Sequence, residues 1–152
     1  MQKIISYLMI TTFYSNKIMY CVNILLHIIC YDIWFYISHI ILHQPFFYKT
    51  IHKIHHITNY ETLHFADTYV AHHLESPFQG LGILVPFIFA KFDGFSFFVA
   101  LLLLNIRGML RHDIRCIWLV GNHHILHHKY ANSNFGEYWL DFIFATNCKK
   151  NN

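Results

Sequence analysis

The 14 histidines of this 152-residue chain are not scattered. His39 and His43 are four residues apart at the end of a long apolar run, so a helix projects both from one face, about 6 Å apart. His52, His55 and His56 follow in His-Lys-Ile-His-His, and the same H-x-x-H-H spacing returns as His124, His127 and His128 inside His-His-Ile-Leu-His-His. Offsets of three and four again predict one helical face per motif. An i, i+4 pair can give two ligands to one metal ion, and three such faces converging can serve two ions with positions left open. An all-imidazole shell suits zinc, copper, iron or nickel and disfavours magnesium and calcium. Imidazole binds as the neutral base, so such a centre tolerates burial beside a membrane.

Other polar residues have simpler expected roles. His27 sits mid-run in the apolar stretch and is read as a hydrogen-bonded structural group. His64 and His73 lie near the motifs in sequence, and His123 points off the face that carries His124. Asp32, two turns before His39, could orient a ligand imidazole through its N–H, as could Glu75, Asp113 and Asp141. The alternative for each carboxylate is a helix cap or a solvated charge.

The elements that must position these groups are apolar. The chain is 55% hydrophobic and 12% charged, with a mean hydropathy of +0.34. This excludes disorder and argues against a soluble domain. A net charge of +3 without a basic cluster interleaved with aromatics implies no nucleic-acid partner. Cys21, Cys30, Cys116 and Cys148 show no C-x-x-C spacing.

Three apolar zones stand out: Ile4 to Tyr14, read as an uncleaved anchor, Ile18 to Leu42, and Leu81 to Ile106. The second would be a helix of about 37 Å, longer than the ~30 Å hydrocarbon core, so its end with His39 and His43 should emerge from the bilayer. The third is broken by Lys91, Asp93 and Gly94 and is read as a hairpin of two short helices. A hairpin also returns the chain to the side it left, which one shared histidine site requires. Lys49, Lys53, Arg107, Arg111, Arg115, Lys129, Lys149 and Lys150 fall in the histidine-bearing segments, which places those segments in the cytosol. Trp34, Trp118 and Trp139 flank the apolar zones and fit an interfacial belt. The expected architecture is all-α: an integral membrane helical bundle with a cytosolic-side, histidine-rich helical cap. It forms a single domain over 1–152, with anchor helices (1–43), a His-rich segment (44–78), a membrane hairpin (79–107) and a C-terminal His-rich segment (108–152).

These motifs carry a resemblance. Asp32-Ile-Trp-Phe-Tyr-Ile-Ser-His39-Ile-Ile-Leu-His43 resembles the D-x-x-F-Y-x-x-H-x-x-x-H of the fatty acid hydroxylase / sterol desaturase superfamily of membrane non-haem di-iron oxidases. His52 to His56 matches its H-K-x-H-H, and Ala71-His72-His73-Leu74-Glu75 resembles its A-H-P-x-E, with His73 in place of proline. His112-Asp113, His123 to His128 and Asn134-Phe135-Gly136-Glu137-Tyr138 resemble the sterol C5-desaturase branch. The likeness spans about residues 30 to 146, in family order. Departures are a short N-terminus, Trp139-Leu-Asp141 for the family's Trp-Asp, Phe142 for its arginine and Ala145-Thr146 for its Gly-Thr.

The resemblance implies two ferrous ions held by His39, His43, His52, His55, His56, His124, His127 and His128, with His72 and His112 as remaining ligands. It also implies O2-dependent hydroxylation or desaturation of a sterol or fatty acyl lipid in lipid biosynthesis, electrons from a donor such as cytochrome b5, and an endoplasmic reticulum membrane. Two alternatives stand beside it: a metal-binding or metal-transport membrane protein, and a catalytically inactive truncated relative.

Overall fold

The computed structural model describes residues 17–90 and 93–148; the expected anchor from Ile4 to Tyr14 lies outside them. Within them the chain is helical, with no strand. Helix α1 (Lys17–Leu42) is followed by α2 (Pro45–Thr50), a 3-10 turn at His52–Ile54 and a 3-10 segment at Phe65–Tyr69. Next come α3 (Glu75–Gly80) and a 3-10 helix, Leu81–Ile88, which together descend as one arm. The returning arm is α4 (Gly94–Arg111), and the cap closes with α5 (Ile117–Val120), α6 (His123–Tyr130) and α7 (Tyr138–Ile143).

Helix α1 is inverted relative to a soluble helix. Ile18, Val22, Leu25, Ile29, Ile33 and Ile37 recur at helical spacing and are exposed, whereas His27, Asp32, Ser38 and His39 are buried. Apolar side out and polar side in is what a hydrocarbon solvent selects. At 1.5 Å per residue α1 is about 39 Å long and α4 about 27 Å, so both are long and apolar enough to span a bilayer.

The hairpin forms, but its arms are unequal. Asp93 caps α4 by accepting from the Phe95 N–H at 3.2 Å, and α4 runs through to Arg111, beyond the expected Ile106. The descending arm starts at Glu75, inside the stretch expected to be cap, and ends as a 3-10 helix because Pro86 sits within it. In a 3-10 ladder the residue-86 N–H would bond the Ile83 carbonyl, and proline has none. His27 fills the gap, its Nδ1–H donating to Ile83 O at 2.7 Å, so the mid-span histidine has the structural role expected of it. The Trp34 indole N–H donates to Phe78 O at 2.7 Å, joining α1 to the same arm.

Ile83, Ala100 and Leu104 form the small apolar core, packed by Ile24, Ile28, Tyr31 and Phe97. The arm approaches α1 so closely that a Cβ on Gly82 would lie 2.5 Å from Trp34 Cβ and 2.9 Å from the Cys30 carbonyl oxygen. We expect Gly82→Ala to destabilise the protein by about 1–3 kcal/mol, read as a lower thermal midpoint in detergent.

Candidate metal centre

Where α1 ends, the histidine side chains converge. His39, His43, His52, His56 and His127 form one group and His55, His112, His124 and His128 a second, with the potential ligand atoms of each group all within 4.8 Å of one another. Each i, i+4 pair (His39/His43, His52/His56, His124/His128) stays within one group. The i+3 members cross over: His55 leaves His52 for the second group, and His127 leaves His124 for the first. The motifs therefore interleave, and the groups adjoin, with His56 and His128 ring centroids 4.7 Å apart.

The supports differ from the expected three helical faces. His39 lies in the last turn of α1, with His43 just past its end, and α6 carries the C-terminal trio. The His52 motif sits on one 3-10 turn and the bend after it, and His112 is the C-cap of α4.

The second nitrogen of many rings is spoken for. His39 Nδ1–H donates to Phe135 O (2.5 Å), His55 to Val70 O (3.1 Å), His112 to Gly108 O (2.8 Å) and His127 to Ser133 O (2.7 Å). His52 Nδ1–H donates to Glu75 Oε1 at 2.9 Å. A ring whose Nδ1 carries the proton presents a bare lone pair at Nε2. Yet His39 Nε2 lies 3.0 Å from His52 Nε2, and His55 Nε2 lies 3.0 Å from His112 Nε2. Bare lone pairs facing at that distance repel unless a cation lies between them. Both nitrogens of His128 and the Nδ1 of His56 are buried without a hydrogen-bond partner. The donor set, its tautomers and its orphaned atoms fit two transition-metal ions.

Burial, then the neighbouring imidazoles, disfavours protonation. It holds His43 down to about 4, and His56 and His112 down to about 3, against an ordinary 6.5. His52, His124, His127 and His128 are lowered further for the same reasons. Neutral imidazole is the ligand-competent form.

Not every expected residue arrives. His72 joins neither group; its Nδ1 accepts from the Leu74 N–H at 3.2 Å in a local turn, and its ring lies tilted against that of His73. From that motif it is Glu75, 2% exposed, that reaches the centre. Burial pushes the Glu75 carboxyl up to about 8, and its Oε2 is buried without a partner. We expect Glu75→Ala to weaken metal retention about 10–100-fold by freeing the His52 ring, read by chelator competition.

The other carboxylates hold the frame. Asp32 pairs with both terminal nitrogens of Arg107, not with a ligand imidazole. Asp113 caps the 3-10 turn at Ile114 and binds Arg115. His64 caps the 3-10 segment at Phe65, and His123 binds Asp141 at 2.9 Å. Asp141 also accepts from the Phe135 and Gly136 N–H groups, each at 2.8 Å, and from Thr146 Oγ1 at 2.7 Å. Burial would raise its pKa, but these hydrogen bonds hold it below the ordinary range. Asp141 thereby shapes the loop whose Phe135 carbonyl orients His39. The supporting carbonyls of Val70, Gly108, Ser133 and Phe135 have no signature in sequence, because every residue type supplies one.

A cavity of about 320 Å3 opens beside the second group, reaching His55, His112 and His124 and running between α1 and α4.

No curated protein and no solved structure matches the chain. The family model described as fatty acid hydroxylase matches residues 24–146, a stretch that holds both histidine groups, Glu75 and the cavity wall. The chain belongs to the fatty acid hydroxylase family, whose members are metal-dependent oxidases that modify membrane lipids.

Proposed function

We propose that the protein is an O2-dependent di-iron mixed-function oxidase that hydroxylates or desaturates a sterol or fatty acyl lipid, with its histidine cap on the cytosolic face of the endoplasmic reticulum. The observation that carries this reading is the pair of adjoining all-imidazole groups with opposed bare Nε2 atoms beside a largely apolar cavity. Iron, when bound by these histidines, would activate O2, which is the oxidant, and hydroxylation balances as R–H + O2 + 2e− + 2H+ giving R–OH and H2O.

The chain's own residues do the rest. Five Nδ1–H groups lock ring orientations onto four carbonyls and Glu75. Leu104, Ile83 and Phe35 line the substrate path and exclude water from it. The electrons come from a cytochrome b5-type donor. The motifs from His112 to Tyr138 favour the sterol C5-desaturase branch. The basic residues of the cap set its cytosolic side. Metal transport fits less well, because His27 and Asp32, the buried polar groups of α1 below Tyr36, are bound to Ile83 and Arg107 and form no open path.

Anaerobic purification followed by metal analysis and O2 uptake with a lipid extract tests this. Two irons per chain, one per histidine group, with oxidised lipid is the expected result; a single labile zinc without O2 uptake overturns it.

A further inference from the structure

The two histidine groups have different surroundings. The cavity reaches His55, His112 and His124 of the second group and none of the five histidines of the first. What borders the first group is aromatic. Tyr48 packs on three of its rings, with centroid distances of 5.4 Å to His43, 5.8 Å to His56 and 6.2 Å to His52. Phe135 packs on His43 at 5.2 Å, on His127 at 5.7 Å and on His39 at 6.1 Å. Between them the two rings lie against all five imidazoles.

The two rings are held differently. Phe135 belongs to the loop fixed by Asp141 and gives its carbonyl to His39, so its place is set by the frame. Tyr48 lies in α2, the six-residue helix between His43 and the turn at His52. Of the three consecutive aromatics of α2, Phe46 is 71% exposed and Phe47 38% exposed, whereas Tyr48 is half-buried over the centre. His39, His52 and His127 are buried. The two half-buried members of the group, His43 and His56, are the two closest to Tyr48. The edge of the first group that faces solvent therefore lies beside one phenol ring.

We propose, resting on the reading that both groups hold a metal ion, that Tyr48 is the gate of the five-histidine group. Its ring keeps water, protons and chelators off His43 and His56 and swings aside when a metal ion enters or leaves. An imidazole that releases a metal ion needs a proton or a water for its freed Nε2, because proton and metal compete for the same lone pair. A ring packed on the ligands withholds both. A phenol suits the place, since its face packs on imidazole while its hydroxyl end stays wet. At the second group the cavity already gives solvent a path to His55, His112 and His124. The two groups therefore exchange metal at different rates, the first slowly behind Tyr48 and the second through the cavity.

The test loads the whole chain in detergent with cobalt(II) and follows its transfer to excess EDTA at neutral pH by the visible absorption of the bound ion. Release in two phases is expected, and the phase missing from His127→Ala belongs to the five-histidine group. Tyr48→Ala should speed that phase at least about 10-fold, the scale on which a neighbour of a ligand changes metal retention. It should leave the other phase within about twofold and the absorption bands of the loaded protein in place. Tyr48→Phe should release cobalt at the parent rate, because the ring and not the hydroxyl closes the site. An unchanged phase in Tyr48→Ala overturns the gate, as does a Tyr48→Phe protein as fast as Tyr48→Ala. Equal acceleration of both phases, or altered bands, means that the whole centre has loosened and overturns it too. A parent protein with no phase that His127→Ala removes overturns the gate and the two-ion centre together. Cobalt release needs neither O2 nor lipid, so the oxidase reading stands or falls separately.

Discussion

Replacing His127 with alanine is expected to lower bound metal from two ions to one per chain and to cut lipid oxidation by well over ~10²-fold, while membrane insertion is unchanged. His127 is fully buried, and its Nε2 lies 3.1 Å from that of His43 and 3.2 Å from that of His56, so it sits centrally in the five-histidine group. Its removal deletes a donor atom outright, a larger loss than the 10–100-fold typical of a residue that only supports a ligand. His55→Ala should do the same to the other group, since His55 is 7% exposed and faces His112. The contrasting variant is His72→Ala. His72 lies outside both groups, so metal content and turnover should stay within about twofold of the parent protein, the scale of a surface substitution. Metal analysis together with oxidised product decides both. Two ions retained in His127→Ala, or one lost in His72→Ala, would refute the nine-histidine assignment.

The metal-free protein is expected to unfold as the pH falls from about 6.5 towards 4. His43, His56 and His112 titrate near 4, 3 and 3 in the folded chain but at the ordinary 6.5 when unfolded. The unfolded state therefore binds more protons below pH 6.5. These groups contribute their full stability above that value and lose it as the pH drops through the window down to their folded pKa. Between pH 6.5 and 5 each neutral imidazole forfeits up to about 2 kcal/mol, so three forfeit up to ~6 kcal/mol, comparable to the whole stability of many domains. The thermal midpoint of the metal-free protein in detergent should fall steeply across this range. Loaded metal should be released in the same window, because protons compete for the same nitrogens. A flat midpoint between pH 7 and 5 would show that the rings are not held neutral by burial.

Much of this molecule can be read from residue types and spacing alone. The apolar run ending at His39 and His43 becomes α1, and the Asp93-Gly94 break becomes the capped start of α4. The three histidine motifs come together, and His27 takes a structural bond. These features are local: hydrophobic length, capping chemistry and helical offset act within a few turns. Less could be read where two distant segments compete. The A-H-H-x-E stretch offers both His72 and Glu75, and only the descent of α3 decides that Glu75 turns inward. Asp32 stands two turns below His39 on one helix, yet Arg107, 75 residues away, takes it.

The sequence by itself determined an all-helical apolar chain with imidazoles in i, i+4 pairs, because helix periodicity and the cost of polar groups in hydrocarbon are properties of short segments. Only the tertiary structure decided how those pairs are shared out. His55 and His127 leave their own motif partners because the turn at His52 and the packing of α6 against α4 aim them at different centres. The carbonyls of Val70, Ser133 and Phe135, which fix three of the rings, belong to loops no spacing rule can place. The partners of Arg107 and Arg111 were likewise settled by packing, since their carboxylates come from α1 and from the loop before α7.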